Sequence, residues 1–299
     1  MHLSTICEDT DMSITPFQAL ACPLDGKPLS RSDSAWRCSD GHSFDIAKQG
    51  YVNLLPVQQK RSHDPGDSKA MVAARQRFLK AEYYQPIAEA VSHAVLGHAE
   101  VQKADSLPFS CLDAGCGEGY YLRQLADAAT NEQPLSLTGL DISKWSVLAA
   151  AKQDAKQAPL SSWVVGSNAH LPVQTGTLDS VLCMFGFPVV SEFARVLKTG
   201  GVLLQVEAGP NHLRELREII YPTLKAERAS KTVVPDGFIH HGSERVSYSI
   251  ALNGSDEIAD LLAMTPHLYR ASAEGRARAA ALEMLSVTVD VRVVQWRRL

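Results

Sequence analysis

The stretch that decides the fold is LDAGCGEGY, at residues 112–120. It closes the apolar segment FSCLDAG and precedes the helix-like segment YYLRQLADAA, so it predicts a glycine loop between a strand and a helix. Gly115, Gly117 and Gly119 allow a tight turn and a close approach of the backbone to a ligand. Their order is GxGxG, with Asp113 two residues before the first glycine, whereas the dinucleotide fingerprint is GxGxxG. The spacing therefore disfavours a nicotinamide dehydrogenase.

Strand-like and helix-like segments alternate around this loop, from Ile87 onward. The strand-like segments are FSCLDAG, LSLTGLDIS, SSWVVGSN, LDSVLCMFG, VLLQVEA, RVSYSIAL and SVTVDVRVVQW. Helix-like segments such as WSVLAAAKQ and VSEFARVLK lie between them, as in crossover units. The pattern predicts an α/β fold with a Rossmann-like, mostly parallel seven-stranded sheet. The last two segments predict an antiparallel pair at the edge of that sheet.

Two further polar positions follow predicted strands. Asp141 ends the second strand, 22 residues past Gly119, where an acid can accept hydrogen bonds from both ribose hydroxyls. The third strand leads into GSNAHLP at residues 166–172, in which Asn168 offers both a donor and an acceptor to an adenine edge.

Together these motifs resemble those of the class I S-adenosylmethionine-dependent methyltransferases. A carboxylate at Asp113 suits a ligand whose methionine part brings an ammonium and a sulfonium group rather than a phosphate. The resemblance implies a cofactor site formed by Asp113, Gly115, Gly117, Glu118, Gly119, Asp141, Asn168 and Ala169.

The N-terminal segment carries a second cluster, Cys22-x2-Asp25 and Cys38-x3-His42. Two short turns with soft or borderline ligands are typical of a structural zinc site. A fourth cysteine is expected where Asp25 stands, and a carboxylate is a harder ligand than a thiolate. The residues leave open whether the four hold zinc or whether packing of aromatic side chains, such as Trp36, stabilises the module without a metal.

The charge is uneven along the chain. The 299 residues have a net charge of -4 and a pI near 6.2, which by itself argues against a nucleic-acid partner. Residues 48–80 nevertheless have a net charge of +5, because seven Lys and Arg stand against Asp64 and Asp67, and the remainder has -9. A basic stretch beside a zinc module predicts a surface that holds RNA phosphates. The seven basic residues are Lys48, Lys60, Arg61, Lys69, Arg75, Arg77 and Lys80.

Targeting signals are not evident. No run of about 18 apolar residues occurs, and the first fifteen residues lack a cationic start and an apolar run. The sequence therefore predicts a cytoplasmic protein without a membrane span. Six cysteines are too few for a disulfide scaffold in a chain of this length.

Longer segments resemble one family, the bacterial large-subunit rRNA (guanine-N1-) methyltransferases, RlmA. The similarity runs from about Cys22 to past Tyr221 and rests on CPLDGKPL, HSFDIAKQGYVNLLPVQQKRSHDPGDS, YYQPI, LDAGCGEGYY, GLDISK, HLPV, ARVLKTGG and GPNHLRELREIIY. It implies a zinc module that recognises RNA, S-adenosylmethionine as cofactor, methylation of guanine N1 in a stem-loop of 23S rRNA, and a homodimer. By matching position, Tyr84 and His212 join the cofactor site. Asp25 departs from the family pattern, and the match is loose at MFGFPVV.

The resulting organisation has four parts: a disordered extension at 1–15, a zinc-ribbon-like module at 16–60, a basic linker and helix at 61–85, and the methyltransferase domain at 86–299. The sequence identifies no general base. We expect the target guanine to stack on Phe185 or Phe187. Two alternatives stay open, a small-molecule methyltransferase and an RNA-binding protein with an inactive methyltransferase domain.

Overall fold

The computed structural model describes residues 14–59, 62–101, 107–130, 134–154, 161–224 and 233–299. Its strands are β1 (Ile14–Pro16), β2 (Ser30–Arg31), β3 (Ala35–Arg37), β4 (Ser43–Asp45), β5 (Tyr51–Asn53), β6 (Phe109–Ala114), β7 (Leu135–Asp141), β8 (Ser161–Val165), β9 (Leu178–Met184), β10 (Leu197–Ala208), β11 (Phe238–Asn253) and β12 (Met284–Arg298).

The helices are α1 (Lys69–Lys80), α2 (Gln85–Val101), α3 (Tyr120–Ala128), α4 (Lys144–Asp154), α5 (Val190–Val196), α6 (Arg214–Ile220), α7 (Ser255–Ala263), α8 (His267–Arg270) and α9 (Ala273–Ala280). Helix α1 begins after Ser68, whose hydroxyl accepts a hydrogen bond from the backbone N–H of Met71 at 3.3 Å. Helix α3 begins directly after the glycine loop, as the sequence predicts.

The large sheet has the strand order β11-β12-β10-β9-β6-β7-β8-β5, and β1 pairs with the beginning of β7. Strands β5 to β10 pair in parallel, whereas β12 lies antiparallel between β10 and β11. Such a mostly parallel sheet needs buried faces, and β6, β8 and β9 are buried along almost their whole length. The predicted α/β fold and the antiparallel pair at the edge are confirmed.

The predicted number of strands is wrong, because the described residues form a large sheet of nine strands instead of seven. The two additional strands come from residues assigned to the extension and to the zinc module. Strand β1 pairs Ile14 with Leu135. Strand β5 pairs Tyr51 with Trp163. Ile14 and Thr15 are thus strand residues, while residues 1–13 of the expected extension lie outside the described part of the chain.

The small sheet, β2-β3-β4, is antiparallel and belongs to the N-terminal module. The module is joined to the α/β domain by backbone hydrogen bonds. The N–H of Ala21 donates to the carbonyl of Pro172 at 2.9 Å, and the N–H of Gln174 donates to the carbonyl of Ala19 at 3.0 Å. Leu20 and Trp36 share one buried core with residues of the domain. The module is therefore packed onto the segment that follows the predicted adenine-contacting residues.

Among the helices that the structure describes, none combines the length and the apolar character that a membrane crossing requires.

Candidate functional site

A cleft of about 500 Å³ lies at the carboxyl ends of β6, β7, β9 and β10. This edge of a parallel sheet is where open α/β folds bind their ligands. Six of the ten residues predicted for the cofactor site line the cleft: Tyr84, Gly115, Gly117, Glu118, Asp141 and His212. Asp113, Gly119, Asn168 and Ala169 are not among the described residues that line it.

The glycine loop has the backbone that its sequence requires. Gly115, Gly117 and Gly119 have φ of 102°, 56° and 82°, in the left-handed region that side chains disfavour. A Cβ on Gly119 would lie 2.5 Å from the ring of Trp163, and one on Gly139 would lie 2.3 Å from it. The indole thus fills the space directly beneath the loop, and both glycines are needed for that packing.

Asp113 is fully buried, and neither of its carboxylate oxygens has a hydrogen-bond partner among the described residues. Burial, followed by the nearby Asp141 carboxylate, raises the pKa of Asp113 to about 8. A buried carboxylate without a partner is costly. Its position at the end of β6 is suited to a cationic ligand group, as the sequence predicts.

Asp141 is partly buried, and its carboxylate is held in place. One oxygen accepts from the backbone N–H of Gly117 at 3.0 Å, and the other accepts from the N–H of Ser143 at 2.7 Å. Burial raises the pKa of Asp141, and these two hydrogen bonds act against that shift. The carboxylate therefore has one fixed orientation at the edge of the cleft, with lone pairs left to accept further hydrogen bonds.

Asn168 and Glu118 occupy less direct positions. The amide nitrogen of Asn168 donates to the carbonyl of Ala114 at 3.2 Å, and its buried oxygen has no partner among the described residues. The Glu118 side chain accepts hydrogen bonds from Arg123 at 2.7 Å and from Gln153 at 2.6 Å. Glu118 therefore contributes its backbone to the loop, while its carboxylate ties the loop to α3 and α4.

Three aromatic rings meet at one wall of the cleft, although they come from distant parts of the chain. The ring centroid of Phe185 lies 5.9 Å from that of Tyr84 and 5.6 Å from that of His212. Phe185 has φ of +55°, an uncommon conformation for a side chain of this size, and is 40% exposed. The neighbouring Phe187 is 88% exposed.

His212 is neutral at pH 7, because burial lowers its pKa to about 4. Its Nδ1 accepts from the backbone N–H of Asp290 at 3.3 Å, so its proton is on Nε2. That nitrogen lies 3.5 Å from the hydroxyl of Tyr84.

Several residues of the cleft were not assigned to it from the sequence. Arg75 was counted only within the basic stretch, yet its guanidinium approaches Gly117 and forms an ion pair with Asp67 at 2.5 Å. The segment from Met264 to Arg270 forms another wall. No motif marks these residues, because they reach the cleft only through the packing of α1 and α7.

The basic stretch is less available for RNA than its charge suggests. Arg75 pairs with Asp67, and Arg77 pairs with Asp260 at 2.5 Å. Lys69 and Lys80 are exposed. Lys60 and Arg61 lie outside the described residues.

The four predicted metal ligands converge at the tip of the N-terminal module. The ligand atoms of Cys22, Asp25, Cys38 and His42 all lie within 4.8 Å of one another. Nδ1 of His42 is 3.5 Å from the Cys22 sulfur, 3.4 Å from the Cys38 sulfur and 3.1 Å from Oδ2 of Asp25. A tetrahedral zinc ion with ordinary bond lengths separates its ligand atoms by roughly 3.3–3.8 Å. The donor set fits zinc, since two of the three distances from His42 lie in this range and the third is about 0.2 Å below it.

Asp25 is prepared for this role by its own turn. The backbone N–H of Lys27 donates to its Oδ1 at 2.9 Å, and this hydrogen bond is the main reason that its pKa falls to about 2. Its other oxygen, Oδ2, lies 3.4 Å from the Cys38 sulfur. One oxygen is thus held by the backbone, and the other points at the cluster.

The fold and the two sites define a class I S-adenosylmethionine-dependent methyltransferase joined to an N-terminal zinc ribbon. The sequence model of the RlmA N-terminal zinc ribbon matches residues 20–63, and that of a methyltransferase domain matches residues 111–201. Relatives that are 30–33% identical over 88–93% of the chain are named 23S rRNA (guanine-N(1)-)-methyltransferases, so the chain belongs to this family, the RlmA family.

Three relatives cover almost the whole chain. A Streptomyces fradiae protein named 23S rRNA (guanine(748)-N(1))-methyltransferase is 32% identical over 88% of this chain and 90% of its own length. A Micromonospora griseorubida protein, provisionally named 23S rRNA (guanine-N(1)-)-methyltransferase, is 33% identical over 93% of this chain and 97% of its own. A Bacillus subtilis protein with the same provisional name is 30% identical over 93% and 96%.

Proposed function

We propose that this protein transfers a methyl group from S-adenosylmethionine to N1 of a guanine in a stem-loop of 23S rRNA. One observation carries the proposal: relatives named for this reaction match the chain across both the zinc ribbon and the methyltransferase domain. A small-molecule methyltransferase requires only the second of these. Since ribosomal RNA is the substrate, we place the protein in the cytoplasm, and we propose a homodimer as in the family.

We assign the cofactor to the cleft. Asp113, buried and without a described partner, faces the cationic methionine part, and the fixed carboxylate of Asp141 accepts from the ribose hydroxyls. Asn168 offers its unpartnered oxygen to the adenine amino group. The backbone of Gly115 and Gly117 lets the ligand approach closely, and Tyr84 and His212 close the wall beside it. When bound, S-adenosylmethionine supplies an electrophilic methyl group.

We assign zinc to Cys22, Asp25, Cys38 and His42, in a structural site with four protein ligands. The ion stabilises the module that contains the small sheet. This module lies beside the α/β domain, where it recognises RNA. A carboxylate ligand in place of the expected thiolate weakens the site without removing it.

The chemistry depends mainly on alignment. Guanine N1 carries a proton at neutral pH and has to lose it before or during transfer. His212 is neutral with its proton on Nε2, so at pH 7 it acts as a hydrogen-bond donor. We propose that the guanine leaves its stack and lies against Phe185 at the cleft or against the exposed Phe187. Alignment of N1 with the methyl group then accounts for much of the rate enhancement.

The test is a labelling reaction followed by mapping. The full chain is incubated with methyl-labelled S-adenosylmethionine and 23S rRNA from a strain that lacks this methylation. We expect label in the rRNA and one reverse-transcription stop at a guanine, because a methyl group on N1 blocks the Watson–Crick edge. Asp141→Asn should abolish the stop, and Asp236→Asn, at an exposed site outside the cleft, should retain it.

Other results would contradict the proposal in distinct ways. If the protein binds the cofactor but labels no rRNA, a small-molecule substrate is favoured. If it does not bind the cofactor, the methyltransferase domain is inactive. If the stop persists when both Phe185 and Phe187 are replaced by Ala, the stacking role is wrong while the activity stands.

A further inference from the structure

The cleft contains an ion pair that the motifs of the methyltransferase class do not include. Arg75, from α1, and Asp67, from the segment before it, pair at 2.5 Å, and their side chains are 23% and 25% exposed. The guanidinium lies against the glycine loop, since a Cβ on Gly117 would be 3.2 Å from it. An ion pair this sheltered and this close to the loop lies inside the proposed cofactor site.

The charges in the cleft make this arginine distinctive. Asp113 is a buried carboxylate and Asp141 a partly buried one, and the carboxylate of Glu118 is already bound by Arg123. Among the side chains that line the cleft, the permanent cations are Arg75 and Arg270, and Arg270 is exposed at the mouth. The interior of the cleft thus offers several acids and one sheltered guanidinium.

The cofactor also has a carboxylate, at the amino-acid end of its methionine part. A carboxylate that leaves water is strongly destabilised unless a cation or several donors receive it. Arg75 has five N–H donors. The guanidinium pairs with Asp67 and donates to the carbonyl of Met264 at 3.4 Å. Its planar group can also bind a carboxylate through two parallel hydrogen bonds.

The segment that carries Asp67 is fixed beside Asp141. The hydroxyl of Ser143 donates to the carbonyl of Asp67 at 2.7 Å. The indole N–H of Trp145 donates to Asp64 at 2.8 Å. A Cβ on Gly66 would lie 2.8 Å from that of Ser143, so this glycine is required for the close approach. The polar segment thus packs onto the loop after β7 and holds Arg75 over the glycine loop.

We propose that Arg75 binds the carboxylate of the cofactor's methionine part, and that Asp67 positions the guanidinium for it. The inference rests on the proposed function, since it assigns one residue within the same cofactor site. The segment 62–80 then serves cofactor binding through Arg75 in addition to any contact with RNA.

Two ligands separate this role from a general effect on the cleft. S-adenosylhomocysteine has the amino-acid end, whereas 5′-methylthioadenosine lacks it and keeps the adenine, the ribose and the sulfur. Titration calorimetry with the full-length protein measures both affinities. For Arg75→Gln we expect the affinity for S-adenosylhomocysteine to fall roughly 10- to 100-fold, as for a lost charged hydrogen bond, while the affinity for 5′-methylthioadenosine is unchanged.

Three further variants complete the design. Arg77→Gln changes the next arginine of α1, which pairs with Asp260 outside the cleft lining, and should leave both affinities unchanged. Arg75→Lys keeps the positive charge but lacks the planar guanidinium group, so it should lose part of the S-adenosylhomocysteine affinity. Asp67→Asn leaves the guanidinium without its positioning partner and should weaken S-adenosylhomocysteine binding by up to about threefold, while 5′-methylthioadenosine binding is unchanged.

The outcomes are distinguishable from those of the proposed function. If wild type binds neither ligand, the proposed function itself fails. If wild type binds both ligands while Arg75→Gln or Asp67→Asn weakens the binding of both equally, the ion pair only stabilises the packing of α1 on the preceding segment. If Arg75→Gln weakens neither, the carboxylate is bound elsewhere, and Arg270→Gln identifies whether it is at the mouth of the cleft.

Discussion

The zinc ribbon and the cofactor cleft are two polar sites built in opposite ways. In the ribbon, four ligands within 21 residues of sequence point at one centre, and their atoms already have the spacing that a metal requires. In the cleft, the lining comes from four strand ends and two helices, and two groups outside that lining, the Asp113 carboxylate and the amide oxygen of Asn168, are buried without a described partner. The first site stabilises its own module, whereas the second places unfavourable groups where a ligand can satisfy them.

Removal of the metal should have the largest effect. Cys38→Ser replaces a thiolate ligand with a weak one, so we expect the zinc content of the purified protein to fall from one per chain to near zero. Because structural zinc sites contribute folding free energy directly, the midpoint temperature of unfolding should fall by many degrees. Metal analysis and calorimetry measure both quantities.

Cys183→Ala is the matched control for that change. Cys183 is a buried cysteine in β9, outside the four-residue cluster, and its replacement should keep the zinc content while costing about 1–2 kcal/mol through lost packing. If Cys38→Ser retains zinc, or if it unfolds no more readily than the control, the cluster does not hold a structural metal. The shared core of Trp36 and Leu20 would then stabilise the module alone.

The next largest effect is a difference in stability between alanine variants at two glycines of the same loop. Gly115 and Gly119 both have positive φ, so an alanine at either position costs about 1–2 kcal/mol in backbone strain. At Gly115 the added Cβ meets nothing within 4 Å, whereas at Gly119 it lies 2.5 Å from Trp163. We therefore expect Gly119→Ala to be less stable than Gly115→Ala by about 1–3 kcal/mol in denaturant unfolding, the usual cost of overpacking.

Equal stabilities for these two variants would mean that the indole moves away from the loop at little cost. The double variant Gly119→Ala with Trp163→Leu distinguishes the cases, since removal of the ring should recover the part of the loss that comes from the clash.

The same contrast explains what the sequence predicted and what it did not. The convergence of Cys22, Asp25, Cys38 and His42 was predicted, because short local spacing determines which side chains share a turn, and their role as zinc ligands stays a prediction. The position of Asp113 and Asp141 at one edge of the sheet was predicted because the carboxyl ends of neighbouring parallel strands meet there, and their contact with the cofactor stays a prediction. Arg75 was predicted to belong to a basic surface that holds RNA phosphates, since nothing in its own segment indicates that α1 packs across the cleft.

The strand count failed for a related reason. Strands β1 and β5 have three residues each and join the sheet through partners more than 100 residues away in sequence, Leu135 and Trp163. A segment so short has no readable periodicity of its own. Its role depends on an edge of the sheet that only the assembled domain provides.

A smaller effect concerns Asp113 and pH. Its pKa is raised by burial to about 8 from an ordinary value near 3.8, so between these values the folded protein without ligand holds a proton that the unfolded chain lacks. The free energy of unfolding therefore decreases as pH rises across this range. Asp113→Asn has no proton to lose at this position, so its free energy of unfolding should decrease less as pH rises.

The same proton should affect cofactor binding. If the carboxylate meets the ammonium group of the ligand, binding releases the proton, and the affinity for S-adenosylhomocysteine should rise by up to about tenfold per pH unit between pH 6 and 8. Calorimetry in buffers of different ionisation enthalpy counts the released proton directly. A pH-independent affinity in wild type, or the same dependence in Asp113→Asn, would show that Asp113 does not face a cation.

The smallest change in stability should come from completing the cysteine pair of the ribbon. Asp25→Cys creates Cys-x2-Cys in the first turn and replaces a hard ligand with a soft one, so competition with a chelator should show tighter zinc binding. The unfolding free energy of the zinc-loaded protein should change little, because the gain from a softer ligand is offset by the loss of the hydrogen bond from the Lys27 N–H to Asp25. Asp40→Cys serves as control, since Asp40 is exposed and pairs with Lys27 outside the cluster, and it should leave zinc affinity unchanged. Weaker zinc binding in Asp25→Cys would mean that the turn is shaped for a carboxylate, and that the departure from the family pattern is an adaptation of this ribbon rather than a partial loss of its metal site.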